Sequence, residues 1–345
     1  MYMSKISGKP KELKRVNISL ILEFIRNNRS ASRTEIVKGT GISQTTVGKL
    51  LSELQSSNDI INIGLDKSSG GRRAERYSLN KNKSYVLSII INGEYLIYNL
   101  VNSIGNIIES NKIETNELLD KVIIDDLIDS FIKNNKDIKA IGICVPGVIS
   151  KNGYLSGRTF SELKEIDINR HIQEKYNIPV FLENDLNSAA LGFLDEYVNN
   201  QKSNAKECLN MVYINFNKLG AGAGIIINNK LVKGKDNFAG EIGFIKFGNQ
   251  QVNELLKNKP NDKEYIEIVV NIISAINFII NPSLIVLGGN DFRYNLIEEI
   301  KKNYKENNIK TEICIAKDDI DISFKGINKM LLNLIDNNIK LVKNL

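Results

Sequence analysis

Metal-binding and redox-active side chains are scarce in this chain of 345 residues, which has three cysteines and one histidine. Cys144, Cys208 and Cys314 lie far apart, with no paired spacing. That excludes a disulfide framework and a zinc knuckle, because structural zinc takes about four N or S ligands. The expectation is of reduced, mostly buried thiols in a cytoplasmic protein. His171, within Ile168–Glu174, sits on a predicted helix with no partner in view and reads as structural. No apolar segment of the secretory kind stands near the N-terminus, so no export signal is expected. The most apolar stretch, 268–289, is broken by Asn271, Asn277, Asn281 and Pro282. It reads as a buried helix followed by a strand, not as a membrane span. There is no low-complexity tract and no repeat at a solenoid period. Neither metal, cofactor nor membrane is expected as a partner.

Charge is present but unevenly placed. Residues 1–80 hold 14 Lys and Arg against 7 Asp and Glu, so residues 81–345 hold 32 against 33. A basic segment joined to a neutral body suggests nucleic acid as the partner of the first. A helical pattern lies beneath the charge. Val16, Leu20, Ile21, Phe24 and Ile25 recur at helical spacing, predicting a first amphipathic helix. Ser32 and Glu35 fit a capping box for a second helix, which buries Ile36 and Val37 and stops at Gly39 or Gly41. Ser43 caps a third, whose inward stripe is Val47, Leu50, Leu51 and Leu54. Gln44, Thr45, Thr46 and Lys49 are left on its other face, where short polar side chains reach base edges and a lysine meets a phosphate. A strand from Ile60 to Ile63 and another from Arg73 to Leu79 flank a glycine-arginine tip, residues 66–73. Helix, turn, helix and tip together read as a winged helix-turn-helix. Its arginines suit a narrow, electronegative minor groove. Arg33, Ser43, Gln44, Thr45, Thr46, Lys49, Arg72 and Arg73 are the candidate DNA contacts. The length suggests two or three domains. We place the boundary at 80, with 1–80 binding DNA and 81–345 forming the body.

Beyond residue 83 strands and helices alternate, an α/β pattern that fits two lobes with ligand between them. Strands are predicted at 85–91, 95–101, 140–145, 180–182, 211–214, 223–227 and 284–287. Helices are predicted at about 118–135, 163–176, 186–197 and 263–279. Five blocks carry a specific resemblance: Ile141–Gly147, Glu183–Ala190, Gly222–Ile226, Ala239–Gly243 and Pro282–Gly289. In this order, behind such a head, they resemble the ROK family (repressors, open reading frames and kinases). The likeness is to its xylose- and N-acetylglucosamine-type repressors. It implies an actin-like, hexokinase-type fold for the body.

The resemblance also implies a site. Asp185 matches the aspartate that serves family kinases as general base, Asn184 matches its sugar-binding neighbour, and Glu241 a carboxylate that accepts sugar hydroxyls. Asp and Asn also favour the cap of a strand-to-helix turn, so Asn184 and Asp185 have a purely structural reading as well. The nucleotide machinery departs from the family pattern. Where the first phosphate turn carries an aspartate, a hydroxyl and a cation, this chain has Ile90, Glu94 and Tyr95. The second appears as Lys218–Gly222, without its first glycine and its hydroxyl. Phe244 replaces the histidine that the family's zinc site uses, and the segment from there to Pro282 is short. The expected protein is therefore a non-enzymatic, DNA-binding regulator of carbohydrate genes, with Asp185 vestigial as a base. Its expected partners are an operator duplex, a monosaccharide and a second copy, as a dimer or dimer of dimers. Two alternatives stay open: a sugar kinase with an appended DNA-binding domain, and a regulator with no small-molecule effector.

Overall fold

A computed structural model describes residues 10–65, 73–91, 95–114, 121–134, 136–149, 154–156, 164–200, 209–218, 220–305 and 311–337. The N-terminal part runs α1 (Pro10–Asn27), β1 (Ala31–Ser32), α2 (Arg33–Thr40), α3 (Gln44–Ser56), β2 (Ile60–Leu65) and β3 (Glu75–Leu79), its sheet ordered β1-β3-β2. Local chemistry sets these bounds. The Glu35 N–H donates to the Ser32 hydroxyl and the Ser32 N–H returns the bond to the Glu35 carboxylate, the capping box expected of the sequence. Gly41 ends α2 in the left-handed region, at φ 71°, and its N–H donates to the Val37 carbonyl. There a side chain would be strained, and the chain turns at once into α3. Val47, Leu50, Leu51 and Leu54 are buried as predicted. The first helix is rotated from its expected phase. Ile21, Leu22 and Ile25 face the core, while Val16 and Leu20 are 52% and 39% exposed. The missing factor was a second contact, since α1 also packs against the far C-terminal helix.

The body's first lobe comprises β4 (Tyr85–Ile91), β5 (Tyr95–Asn102), β6 (Ile107–Glu114), α4 (Lys121–Lys133) and β7 (Ile138–Val145). Three short antiparallel strands follow: β8 (Val148–Ile149), β9 (Tyr154–Ser156) and β10 (Lys164–Ile166). Then come α5 (Asn169–Tyr176), β11 (Val180–Asn184) and α6 (Asp185–Asn200). The main sheet is ordered β11-β7-β4-β5-β6. The helix predicted from 163 thus begins later, after β10. His171 on α5 does have a partner, contrary to expectation. Its Nε2 lies 3.0 Å from both carboxylate oxygens of Asp125 on α4, a residue 46 positions away.

The second lobe comprises β12 (Met211–Asn217), β13 (Gly220–Ile227), β14 (Lys230–Val232), the hairpin β15 (Lys246–Phe247) and β16 (Gln250–Gln251), α7 (Val252–Lys257) and α8 (Asp262–Ile280). It closes with β17 (Leu284–Gly288), α9 (Ile297–Lys305), β18 (Glu312–Ile315) and α10 (Asp319–Asn337). Its sheet is ordered β14-β13-β12-β17-β18. Each main sheet therefore has two antiparallel strands on one side of its first strand and two parallel strands on the other, the same topology twice. No described helix is long and apolar enough to cross a membrane.

Two helices join the lobes. Ala189, Ala190 and Leu194 of α6 pack on the second sheet through Met211, Tyr213 and Ile226. Phe324, Ile327 and Leu331 of α10 return to the first through Val86, Ile90 and Ala140. They cross at Gly192 and Gly326. A Cβ on either would stand 1.9 Å from a backbone oxygen, of Ile322 or Ser188 respectively. Only glycine permits so close an approach.

Candidate functional site

Gln44, Thr45 and Lys49 are exposed on α3, on the face turned away from its buried stripe. Ser43 and Thr46 serve the helix start. The Thr46 N–H donates to the Ser43 hydroxyl (3.3 Å), and the two hydroxyls lie 2.8 Å apart. Arg33 reaches across from α2, donating its Nε to the Gln44 carbonyl at 3.2 Å. Its guanidinium lies over Gly48, where a Cβ would come within 2.3 Å of it. A glycine inside a helix costs roughly 1 kcal/mol against alanine, and here it makes room for this arginine. Arg73 is exposed beside the tip. Arg72 falls outside the described residues.

The second site lies where the lobes face each other. β11 ends at Asn184 and α6 begins at Asp185. The Asn184 Oδ1 accepts the N–H groups of Leu186 and Asn187, at 2.9 and 3.0 Å, and its Nδ2 donates to the Gly147 carbonyl at 2.8 Å. Its carboxamide thus caps α6, and among the described residues its second N–H has no partner. Asp185 accepts the Leu186 N–H. Loss of solvation pushes its carboxyl up to about 7, and the nearby Glu241 and Asp319 carboxylates add to the rise. Glu241 is also raised, by burial. Gly240 sets its position at φ 95°, pressed so close to β13 that a Cβ would meet the Ala223 carbonyl at 1.8 Å. An open cavity of about 470 Å³, lined by Gly234, Lys235, Asp236, Phe238 and Ala239, lies in the turn leading to Glu241.

Sequence reasoning missed four residues here. Glu183 is fully buried and is the hub of the cleft. Its Oε1 accepts the Asn184 N–H and the Asn187 Nδ2, both at 3.0 Å, and its Oε2 takes the Lys233 ammonium at 2.6 Å. Lys233 comes from the second lobe, so this ion pair ties one lobe to the other. Asp319 accepts the Tyr213 hydroxyl, and burial raises its carboxyl. Asn253 sits between Gly220 and Gly243, either of whose Cβ atoms would collide with it, and its Oδ1 accepts the Ala221 N–H at 3.0 Å. Only the Glu-Asn-Asp run carried any signal for this group. The others depend on contacts between residues far apart in sequence, across the lobes for Lys233 and within the second lobe for Asp319 and Asn253.

Of the phosphate-turn residues, Ile90 is buried against α10 and Tyr95 lies under the Lys112 ammonium, 3.6 Å from its ring centre. Residues 92–94 and 219 are outside the described set. The family's zinc does not fit this chain. Phe244 stands in the position of a donor, and Ile245, Phe247, Val252, Leu255 and Leu256 pack the following segment into the second lobe's core. Among the described residues no cluster of three or more His, Cys, Asp or Glu is placed to hold a metal ion.

A three-helix head on a two-lobed α/β body, with carboxylates between the lobes, defines the class of this molecule. The family model described as ROK family matches residues 86–261, and the chain belongs to the ROK family. The xylose repressor of Bacillus spizizenii is 36% identical over 238 residues, 67% of this chain and 60% of that protein. NagC of Escherichia coli, a DNA-binding transcriptional dual regulator, is 20% identical over 242 residues, 68% of this chain and 58% of that protein. The chain therefore spans about 60% of the length of the curated relatives it matches. Among solved structures, a ROK family transcriptional regulator homologous to the E. coli MLC protein has a TM-score of 0.73 at 18% identity, covering 94% of this chain and 98% of that one. A ROK glucokinase from Streptomyces griseus, with glucose and AMPPNP, gives 0.53 at 17% identity over 72% and 99% of the two chains. At these identities the likeness establishes the fold.

Proposed function

We propose that this chain is a DNA-binding transcriptional repressor of sugar-related genes. Residues 1–80 act as a winged helix-turn-helix. Residues 81–345 form an actin-like, hexokinase-type body that binds a monosaccharide and pairs copies as a dimer or dimer of dimers. The observation that carries the reading is α3. Its exposed Gln44, Thr45 and Lys49 follow a tight turn at Gly41, in the segment that holds the chain's excess positive charge. The names of the curated relatives support the same function and make D-xylose the first sugar to test.

For the cleft, we assign sugar hydroxyls to Asp185, Glu241 and the second N–H of Asn184. A carboxylate accepts hydroxyl donors when ionised, and Asp185, with its carboxyl held near 7, can also donate one hydrogen bond in its protonated form. Sugar would favour one closure of the lobes and so alter the spacing of two heads, which requires unequal affinity for the two states. Kinase activity is disfavoured by specific residues. A buried Ile90 offers magnesium nothing, and Asn253 already takes the Ala221 N–H within the second phosphate turn.

Selection of bound duplexes from a random pool tests the DNA reading. The expected product is a pseudo-palindrome with half-sites a whole number of turns apart, about 10 bp per turn. A pool with no enriched sequence contradicts it. ADP release above a no-sugar blank, across a panel of hexoses and pentoses, would restore the kinase.

A further inference from the structure

α10 touches both places that the proposed function needs. Near its start the Tyr213 hydroxyl donates to Asp319. The Ser323 hydroxyl donates to the Asp185 carbonyl at 3.2 Å, and the Ser323 carbonyl accepts the Ser188 hydroxyl at 2.9 Å. At its far end Asp336 accepts both terminal nitrogens of Arg26 on α1, at 2.6 and 2.9 Å. The Arg26 Nε completes the fork on the Ser103 carbonyl at 2.9 Å. These two side chains are only 12% and 7% exposed. The interval from Ser323 to Asp336 is about 20 Å of continuous helix at 1.5 Å per residue.

Four features make this a fastening and not a surface contact. A bidentate guanidinium–carboxylate pair fixes angle as well as distance. Parting it strands a charge in a dry place, so the joint is closed or open, with little between. The head also rests on the first lobe beside it. Ile104 packs into the head's core, and the Ser103 hydroxyl donates to the Asn80 carbonyl at 2.7 Å. Finally, the backbones of α6 and α10 touch at Gly192 and Gly326, so a shift of the Asp185 turn that opens α6 displaces α10 too.

We propose that α10 is the strut through which cleft and head are coupled, and that the Arg26–Asp336 pair fastens the head to it. The inference rests on the head being the DNA-reading unit. Coupling between two sites is reciprocal, so a duplex bound at the head is felt at the cleft even without sugar.

Hydrogen exchange on the full chain, with a duplex recovered by selection, reads this directly. In the wild type the duplex slows exchange across 185–192 and 319–326 by at least about fivefold, the low end of allosteric couplings. Asp336→Asn, which keeps an acceptor of the same shape, binds the duplex but loses that response. Ser323→Ala, which removes one hydroxyl at the other end, also loses it and serves as the test if the first variant does not fold. Protection confined to 12–56 in the wild type overturns the strut, as does a full response in both variants. A wild type that binds no duplex fails at the DNA reading itself, and the strut falls with it.

Discussion

Asp185 is the residue whose environment makes the sharpest claim. Burial holds its carboxyl at about 7, against an ordinary value of 3.8. The folded chain thus binds this proton more tightly than the unfolded chain, and the stability it lends is lost as pH rises from about 4 through 7. Glu241 and Asp319 are shifted the same way. Asp185→Asn has no proton to lose there, so its melting temperature should fall less than the wild type's between pH 5 and 8. Parallel curves for the two proteins would refute the assignment. On the proposed DNA-reading head, variants should divide by the kind of contact they lose. Lys49→Ala should weaken binding to every duplex alike and reduce the salt slope by about one unit. Thr45→Ala should relax base preference instead, at about 1–3 kcal/mol for a good contact. Anisotropy against matched and mismatched duplexes separates the two behaviours.

Among the elements, those with a complete local code were legible in the sequence. The Ser32–Glu35 box and the four-residue stripe of α3 are where spacing places them, and of the two glycines at which α2 could stop, Gly39 and Gly41, the second ends it. Strands β4, β5 and β7 were legible because each is an apolar run. β6 was not, since all but one of its residues are exposed and no alternation marks it. α10 was missed although Ile320, Phe324, Ile327, Leu331 and Leu334 repeat at helical spacing. Its importance comes from distant partners: the first sheet, α6 and Arg26. The α6–α10 crossing gives a prediction at this scale. Gly326→Ala forces a methyl to within 1.9 Å of the Ser188 carbonyl, and overpacking of this kind costs about 1–3 kcal/mol. Denaturant unfolding should show that loss, with the head's own contacts unchanged. Wild-type stability in the variant would mean that the helices are free to part.

In the whole molecule, the family and two-lobed body were legible because five short blocks keep their order over much of the chain. The cleft was half legible. Asp185 feels the Glu241 carboxylate across the cleft, but the Glu183–Lys233 pair forms only once the lobes are packed, and Asp319 and Asn253 take their places from long-range contacts inside the second lobe. The sharpest departure from the family pattern lies after Gly243, where apolar side chains pack into the second lobe's core the segment that metal would organise. On the proposed function, a body held in this way recognises sugar through its carboxylates. D-xylose well above its dissociation constant should raise the melting temperature by an amount equivalent to a few kcal/mol, whereas an unmoved transition across common sugars would leave the body as a pairing scaffold.

The proposed repressor function requires the head to grip a duplex through its charge. Titration of the full chain into labelled duplex at a series of salt concentrations measures this most directly. The logarithm of the association constant should fall linearly with the logarithm of salt, with a slope of several units set by the phosphates engaged. A flat response, or no binding to any duplex at low salt, would contradict it.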